Sequence, residues 1–163
     1  MNYAKINPTD IANGTGVRVS LFVSGCRIRC PGCFNPEAQS FTYGQEFTTE
    51  TIRYILELLA PDHISGLTVL GGEPLDPKNR MDVQILLMDA KKAYPNKNIW
   101  VYTGYLYEDL KGLSITKYID VLVDGAFIEA QKDISLKFRG SRNQRLIDVK
   151  SSRMTNSIKL LEE

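Results

Sequence analysis

The chain has 163 residues, a formal net charge of +1 from 20 Lys+Arg against 19 Asp+Glu, 43% hydrophobic residues and 24% charged ones. These are the proportions of a soluble globular protein, without the strongly basic footprint of a general nucleic-acid binder or the ~18-residue apolar run of a membrane span. The length suits one domain over 1–163 and falls short of the ~250 residues typical of a closed eight-stranded βα barrel. The opening residues, MNYAKINPTD, lack the apolar core of a signal peptide, so a cytoplasmic protein is expected.

Residues 3–7 read either as a flanking strand or as an irregular segment, and Asn13-Gly14-Thr15-Gly16 reads as a turn. Val17 to Ser24 is apolar and rich in β-branched residues, a strand closed by Gly25. Cys26, Cys30 and Cys33 follow, all three cysteines of the chain within eight residues, with Pro31, Gly32 and Pro36 as breakers. An odd, clustered set is a poor disulfide framework. Three neighbouring thiolates repel one another unless a cation neutralises them, so a metal centre is the natural reading. Structural zinc takes four protein ligands, and the only histidine, His63, is the candidate fourth. A four-iron cluster on three thiolates would instead leave one iron open to a ligand.

Downstream, Ile52, Ile55, Leu56 and Leu59 recur with helical spacing, predicting a helix over 49–60 capped by Thr48 or Thr49 and stopped at Pro61. GLTVL at 66–70 is a buried-strand pattern closed by Gly71-Gly72. Val83, Leu86, Leu87 and Ala90 predict a second helix over 80–94, and NIWVYT at 98–103 a third strand. A short helix over 106–112, a fourth strand over 119–124 and a fifth over 145–149 follow. Residues 151–163 lack a strong pattern and are expected to fray. Met81, Met88 and Met154 read as packing residues, Trp100 and Tyr102 as core residues sharing one strand face, and Asp120 as a strand-boundary residue.

Strands alternating with helices predict an α/β fold with four to five mainly parallel strands, curved as a partial βα barrel. The carboxyl ends of parallel strands share one edge, where ligands bind. The cysteine loop, Gly71-Gly72-Glu73-Pro74, Thr103-Gly104 and Asp124-Gly125 each follow a strand and should therefore face one cavity. Gly71-Gly72-Glu73 reads as a tight turn or as bare backbone approaching a ligand, with Glu73 meeting an ammonium group. Asp124 reads as a turn-capping carboxylate or a ligand contact. The basic stretch Lys137 to Arg153, with Arg139, Arg142, Arg145 and Lys150, reads as a solvated face or as a surface for an anion or a partner.

Three cysteines spaced four and then three residues apart after one strand, and GGEP after the next, resemble the radical S-adenosylmethionine superfamily. LFVSGC, PGCFN, GGEPL, IWVYTGY, LVDG and RGS-x-NQ together resemble the activating enzymes of anaerobic, class III ribonucleotide reductases, over roughly residues 1–145. The resemblance implies a [4Fe-4S] cluster on Cys26, Cys30 and Cys33. S-adenosyl-L-methionine would chelate the fourth iron, with Gly32, Cys33 and Phe34 along the cofactor and Gly71, Gly72 and Glu73 at its methionyl end. Thr103 and Asp124 carry over as further cofactor contacts. The implied activity is reductive cleavage of the sulfonium to a 5′-deoxyadenosyl radical, which takes a hydrogen from a glycine of the reductase large subunit. The chain holds no second cysteine cluster, so an external flavodoxin- or ferredoxin-like electron donor is implied. Gly32 stands where the wider superfamily often has an aromatic residue, and Thr15 and Ile28 stand where relatives often have Pro and His. Two alternatives are a small radical enzyme acting on a purine-like molecule and a non-catalytic metal-binding module built on the three cysteines.

Overall fold

A computed structural model describes residues 1–34 and 36–161. Asn35, the last letter of the PGCFN motif, and the final two positions of the 151–163 tail lie outside the described residues. The elements in chain order are β1 (Asn2–Asp10), β2 (Val17–Val23), β3 (Gln45–Glu46), α1 (Thr49–Leu59), β4 (Ile64–Gly71), α2 (Arg80–Ala93), β5 (Asn98–Tyr102), α3 (Tyr107–Leu110), β6 (Val121–Asp124), β7 (Arg145–Asp148) and α4 (Val149–Thr155). Single 3-10 turns stand at Pro36–Gln39, Ser114–Tyr118 and Glu129–Gln131.

The strands form one seven-stranded sheet in the order β3-β1-β2-β4-β5-β6-β7. β2, β4, β5 and β6 run parallel. β1 and β7 flank them antiparallel, and β3 adds two residues beside β1. The fold is therefore mixed α/β, with a parallel centre of four strands rather than a sheet of four to five. Residues 3–7 are strand, within a longer β1.

Alternation along the strands separates two faces. Val19, Leu21 and Val23 of β2, Leu67 and Val69 of β4, and Ile99 and Val101 of β5 are buried beneath α1 and α2. The helices form where expected because their apolar residues meet that face. Ile55 and Leu59 of α1 are buried, as are Val83, Leu86, Leu87 and Ala90 of α2. Thr48 caps α1, its side chain accepting from the Thr51 N–H at 3.4 Å while the Thr51 hydroxyl accepts from the Thr48 N–H at 3.0 Å. Truncating a fully buried residue such as Leu87 to Ala would cost about 2–5 kcal/mol.

Ser20, Thr68 and Trp100 fall in one cross-strand row of the opposite face, and Phe22 and Leu70 in the next, followed by Tyr102 two residues beyond Trp100. Trp100 is core there, packed with Val121, Val123 and Leu146, while Tyr102 reaches a cavity wall. Arg18 is fully buried on this face. It donates to the Thr68 hydroxyl at 2.7 Å, the Leu67 carbonyl at 2.9 Å and the Asn98 carbonyl at 3.1 Å, and lies 5.5 Å from the Trp100 ring. Burial lowers its pKa to about 10.

Three expectations are corrected. Met81 and Met154 are 75% and 77% exposed and Met88 also faces outward, so none is a core residue; their positions lie off the buried stripe of their helices. Asp120 does more than mark a strand boundary, since it pairs with Lys91 at 2.5 Å and accepts from the Ile99 N–H at 2.7 Å. The tail does not fray through residue 161. Asp148 caps α4 through the Ser151 N–H at 3.0 Å, and the Leu161 N–H returns to the Leu146 carbonyl at 2.8 Å.

Candidate functional site

The site begins where β2 ends. Gly25 has φ +100°, and a Cβ there would fall 2.1 Å from the Phe41 ring, so only glycine fits. Its N–H donates to the Ala38 carbonyl at 2.6 Å, and the Cys26 N–H donates to the Gln39 carbonyl at 3.1 Å. The turn Pro36–Gln39 thus straps the start of the cysteine loop. At the end of the neighbouring β4, Gly71 has φ +108°, and a Cβ there would lie 2.7 Å from the Val23 backbone. The Gly72 N–H then donates to the Val23 carbonyl at 2.8 Å and the Glu73 N–H to that of Gly25 at 2.7 Å. The cysteine loop and the glycine corner are therefore joined main chain to main chain.

Glu73 is 1% exposed. One carboxylate oxygen accepts from the Gly104 N–H at 2.7 Å; the other accepts from the Thr103 hydroxyl at 2.8 Å and the Leu75 N–H at 2.9 Å. Three of the roughly four acceptor directions of a carboxylate are thus occupied. The donors favour the ionised form, but burial outweighs them and pushes the pKa up to about 7. Glu73 therefore ties β4 to β5 and keeps acceptor capacity for a cationic group.

These corners border one cavity of about 530 Å³, within the ~300–1,000 Å³ usual for small-molecule sites. Cys26, Cys30, Cys33, Gly71, Gly72, Glu73 and Thr103 all stand on its wall. Phe22, Leu70 and Tyr102 of the sheet also line it, and Phe34, Phe127, Leu136 and Phe138 supply an apolar wall. Phe34 is 69% exposed and its ring lies 4.9 Å from that of Phe127. Ile28 packs against Gly104, where a Cβ would meet its Cδ1 at 2.4 Å.

All three cysteines are free thiols of intermediate exposure. Burial pushes the Cys26 thiol up, partly offset by the N–H groups of Arg29 and Ile28. Among the described residues no three Cys, His, Asp or Glu side chains converge closely enough to hold one metal ion. A zinc ion needs all its sulfurs about 2.3 Å from a single point. A cluster offers each thiolate its own iron, so sulfurs spread around a cavity wall fit it better. His63 cannot complete a zinc set: it is exposed in the turn before β4, whereas the cysteines follow the far end of the parallel β2. The eight residues of β4 separate those ends by about 25 Å.

Other candidates stand elsewhere. Gly32, at φ +75°, packs against Glu129 and is not on the wall. Asp124 is fully buried but off the wall: its oxygens accept from Arg145 at 2.6 and 3.0 Å and from the Tyr107 N–H at 2.8 Å. It is the structural carboxylate, and its neighbour Gly125 lines the cavity instead. The basic stretch divides, Arg145 pairing with Asp124 and Glu108, Arg139 reaching the cavity, and Lys137, Arg142, Lys150 and Arg153 facing solvent.

Sequence reasoning misses Tyr102 and Asn79 as site residues. Alternation with Trp100 puts Tyr102 on one face, but does not say that this face borders the cavity. Asn79 stands at the N-cap position of α2, but its side chain makes no cap bond. Its buried amide instead donates to the Glu73 carbonyl at 3.0 Å and the Ser24 carbonyl at 3.1 Å.

A family model described as a 4Fe-4S single cluster domain matches residues 12–147. A protein of Enterobacteria phage T4 is 44% identical over 148 residues, covering 90% of this chain and 93% of its own length. Proteins of Haemophilus influenzae and Escherichia coli are 43% and 42% identical, each covering 88% of this chain and 96% of its own. All three carry the name anaerobic ribonucleoside-triphosphate reductase-activating protein.

Proposed function

Since the chain belongs to the family of anaerobic ribonucleoside-triphosphate reductase-activating proteins, built on a 4Fe-4S single cluster domain, we propose that it activates the anaerobic ribonucleotide reductase by generating a glycyl radical there. Cys26, Cys30 and Cys33 would hold the [4Fe-4S] cluster, and the cavity beside them would take S-adenosyl-L-methionine. The carrying observation is that the three thiols and the Gly71–Glu73 corner border the same cavity. When bound on Cys26, Cys30 and Cys33, the cluster would supply the low-potential electron that reductive cleavage of the sulfonium needs.

The chain's own residues bind, orient and exclude. Gly71 and Gly72 offer bare backbone at the cavity edge, and Glu73 offers its remaining acceptor direction to an ammonium group, which would draw the carboxyl back to its ionised form. Thr103 acts through Glu73, fixing that oxygen by its hydroxyl. The Phe34, Phe127, Leu136 and Phe138 wall keeps the interior apolar, which protects a reactive radical from side reactions. No acid–base residue is required. The parallel centre with the cavity at its carboxyl edge supports a partial βα barrel in one domain, and one cysteine loop supports an external electron donor. Among the described residues no helix is long and apolar enough to cross a membrane, and a cytoplasmic setting belongs to the same reading.

The test is anaerobic incubation with reductase, reductant and S-adenosyl-L-methionine, read by electron paramagnetic resonance. A glycyl radical doublet on the reductase is expected. A colourless preparation, or a cluster-bearing protein that cleaves the sulfonium without forming the doublet, would overturn the reading.

A further inference from the structure

We infer that Asn79 is a positioning residue that fixes Cys26 relative to the Glu73 corner. Asn79 occupies the N-cap position of α2, where an asparagine side chain ordinarily accepts from the first helical turn and stabilises it by about 1 kcal/mol. Here that bond is not made: the backbone is already helical, at φ −101° and ψ −26°, and the side chain turns away. The buried amide nitrogen spans two segments. It donates to Ser24 at 3.1 Å on one side and to Glu73 at 3.0 Å on the other, with a longer approach of 3.4 Å to Gly25.

A second contact, ionic and without a hydrogen bond, reaches the residue after Cys26. Asp76, fully buried, faces the Arg27 guanidinium at 3.2 Å and accepts from the Lys78 N–H at 2.9 Å. Residues on both sides of Cys26 are thus held by the stretch from Glu73 to Asn79. Arg27 is 53% exposed, so its arm is screened by solvent and is the weaker one. The Asn79 arm is buried, and its loss leaves the Ser24 carbonyl without that donor next to the metal loop. A displacement well under 1 Å between Cys26 and Glu73 is enough to disturb a ligand that touches both.

This inference rests on the reading that the Gly71–Glu73 corner receives the sulfonium cofactor. The experiment uses the full chain, loaded with cluster under anaerobic conditions, as wild type, Asn79→Ala, Asn79→Asp and Asp76→Asn. Iron content, unfolding midpoint and S-adenosyl-L-methionine affinity are measured, the last from the change in the reduced cluster's electron paramagnetic resonance on binding. Asn79→Ala is expected to keep wild-type iron and bind the cofactor about tenfold more weakly. Asn79→Asp, which aims a carboxylate at carbonyl oxygens, should lose more, and Asp76→Asn less. Wild-type affinity in Asn79→Ala, whatever its melting temperature, overturns the inference, since a merely structural role moves stability alone. If that variant loads poorly, hydrogen exchange at the Cys26 amide of the cluster-free protein decides: about tenfold faster exchange with α1 unchanged supports the inference, and unchanged exchange overturns it. Failure of the wild type to bind the cofactor would remove the reading of the corner and leave the exchange result to judge Asn79.

Discussion

Glu73 should make the cofactor-free protein less stable as pH rises. Its carboxyl ionises at 4.5 in the ordinary case and at about 7 when buried in the fold. A raised folded value stabilises fully below pH 4.5, and that contribution is lost as pH rises through about 7. At about 1.4 kcal/mol per tenfold change in proton affinity, the loss amounts to about 3 kcal/mol. Glu73→Gln removes the titration while keeping the shape. It leaves one of the three donors from Thr103, Gly104 and Leu75 without its acceptor, so its absolute stability should fall by about 1–3 kcal/mol. The slopes, not the absolute values, carry the test. Urea unfolding of both proteins, cluster-free and reduced, from about pH 5 to about pH 8 should show a decline in the wild type that is absent from the variant. Parallel profiles would refute the reasoning. S-adenosyl-L-methionine should bind the wild type more tightly as pH rises through the same window, because an ammonium group prefers the ionised carboxylate.

Further outcomes follow from neighbouring residues. Cys26→Ala, Cys30→Ala and Cys33→Ala should each abolish cofactor cleavage, and iron analysis of the wild type should give about four irons per chain in brown protein; full turnover in any of the three would end the cluster assignment. Asp124→Ala should cost about 2–3 kcal/mol in urea unfolding, since Arg145 loses its buried partner but keeps Glu108. The same variant should bind the cofactor with unchanged affinity, as Asp124 stands off the cavity wall. Gly71→Ala should destabilise by more than about 2 kcal/mol, because it adds a Cβ at φ +108° only 2.7 Å from the Val23 backbone.

The parts of this molecule legible in the sequence are those where one face of an element is apolar. Ile55 and Leu59, or Val83 and Leu87, reveal α1 and α2 because burial selects their spacing. The strand ends are legible too, since Gly25 and Gly71 are forced by left-handed backbone and close approach. β1 is ambiguous because much of it is only partly buried, and α4 because seven residues held by a cap carry little periodicity. Met81 and Met88 mislead because a methionine on a helix signals its face only through its neighbours. In the site, the cysteine spacing and the glycine corner are legible as strand-end features, and the structure brings them to one cavity. Asp124 misleads because its partner Arg145 is 21 residues away in sequence and adjacent only across the β6–β7 pairing. Asn79 escapes notice because its bonds go to backbone carbonyls, which leave no letter in the sequence.

The joining of cysteine loop to glycine corner by amides and carbonyls has a bearing on which alterations the loop can absorb. Exchange of the solvent-facing Arg29 side chain leaves every one of those bonds intact, whereas inserting or deleting one residue between Ser24 and Cys26 takes the Gly25 carbonyl away from the Glu73 N–H, even though the Gly72–Val23 bond stays in place. Outside Gly25 and the cysteines, this segment is therefore constrained more in length than in identity.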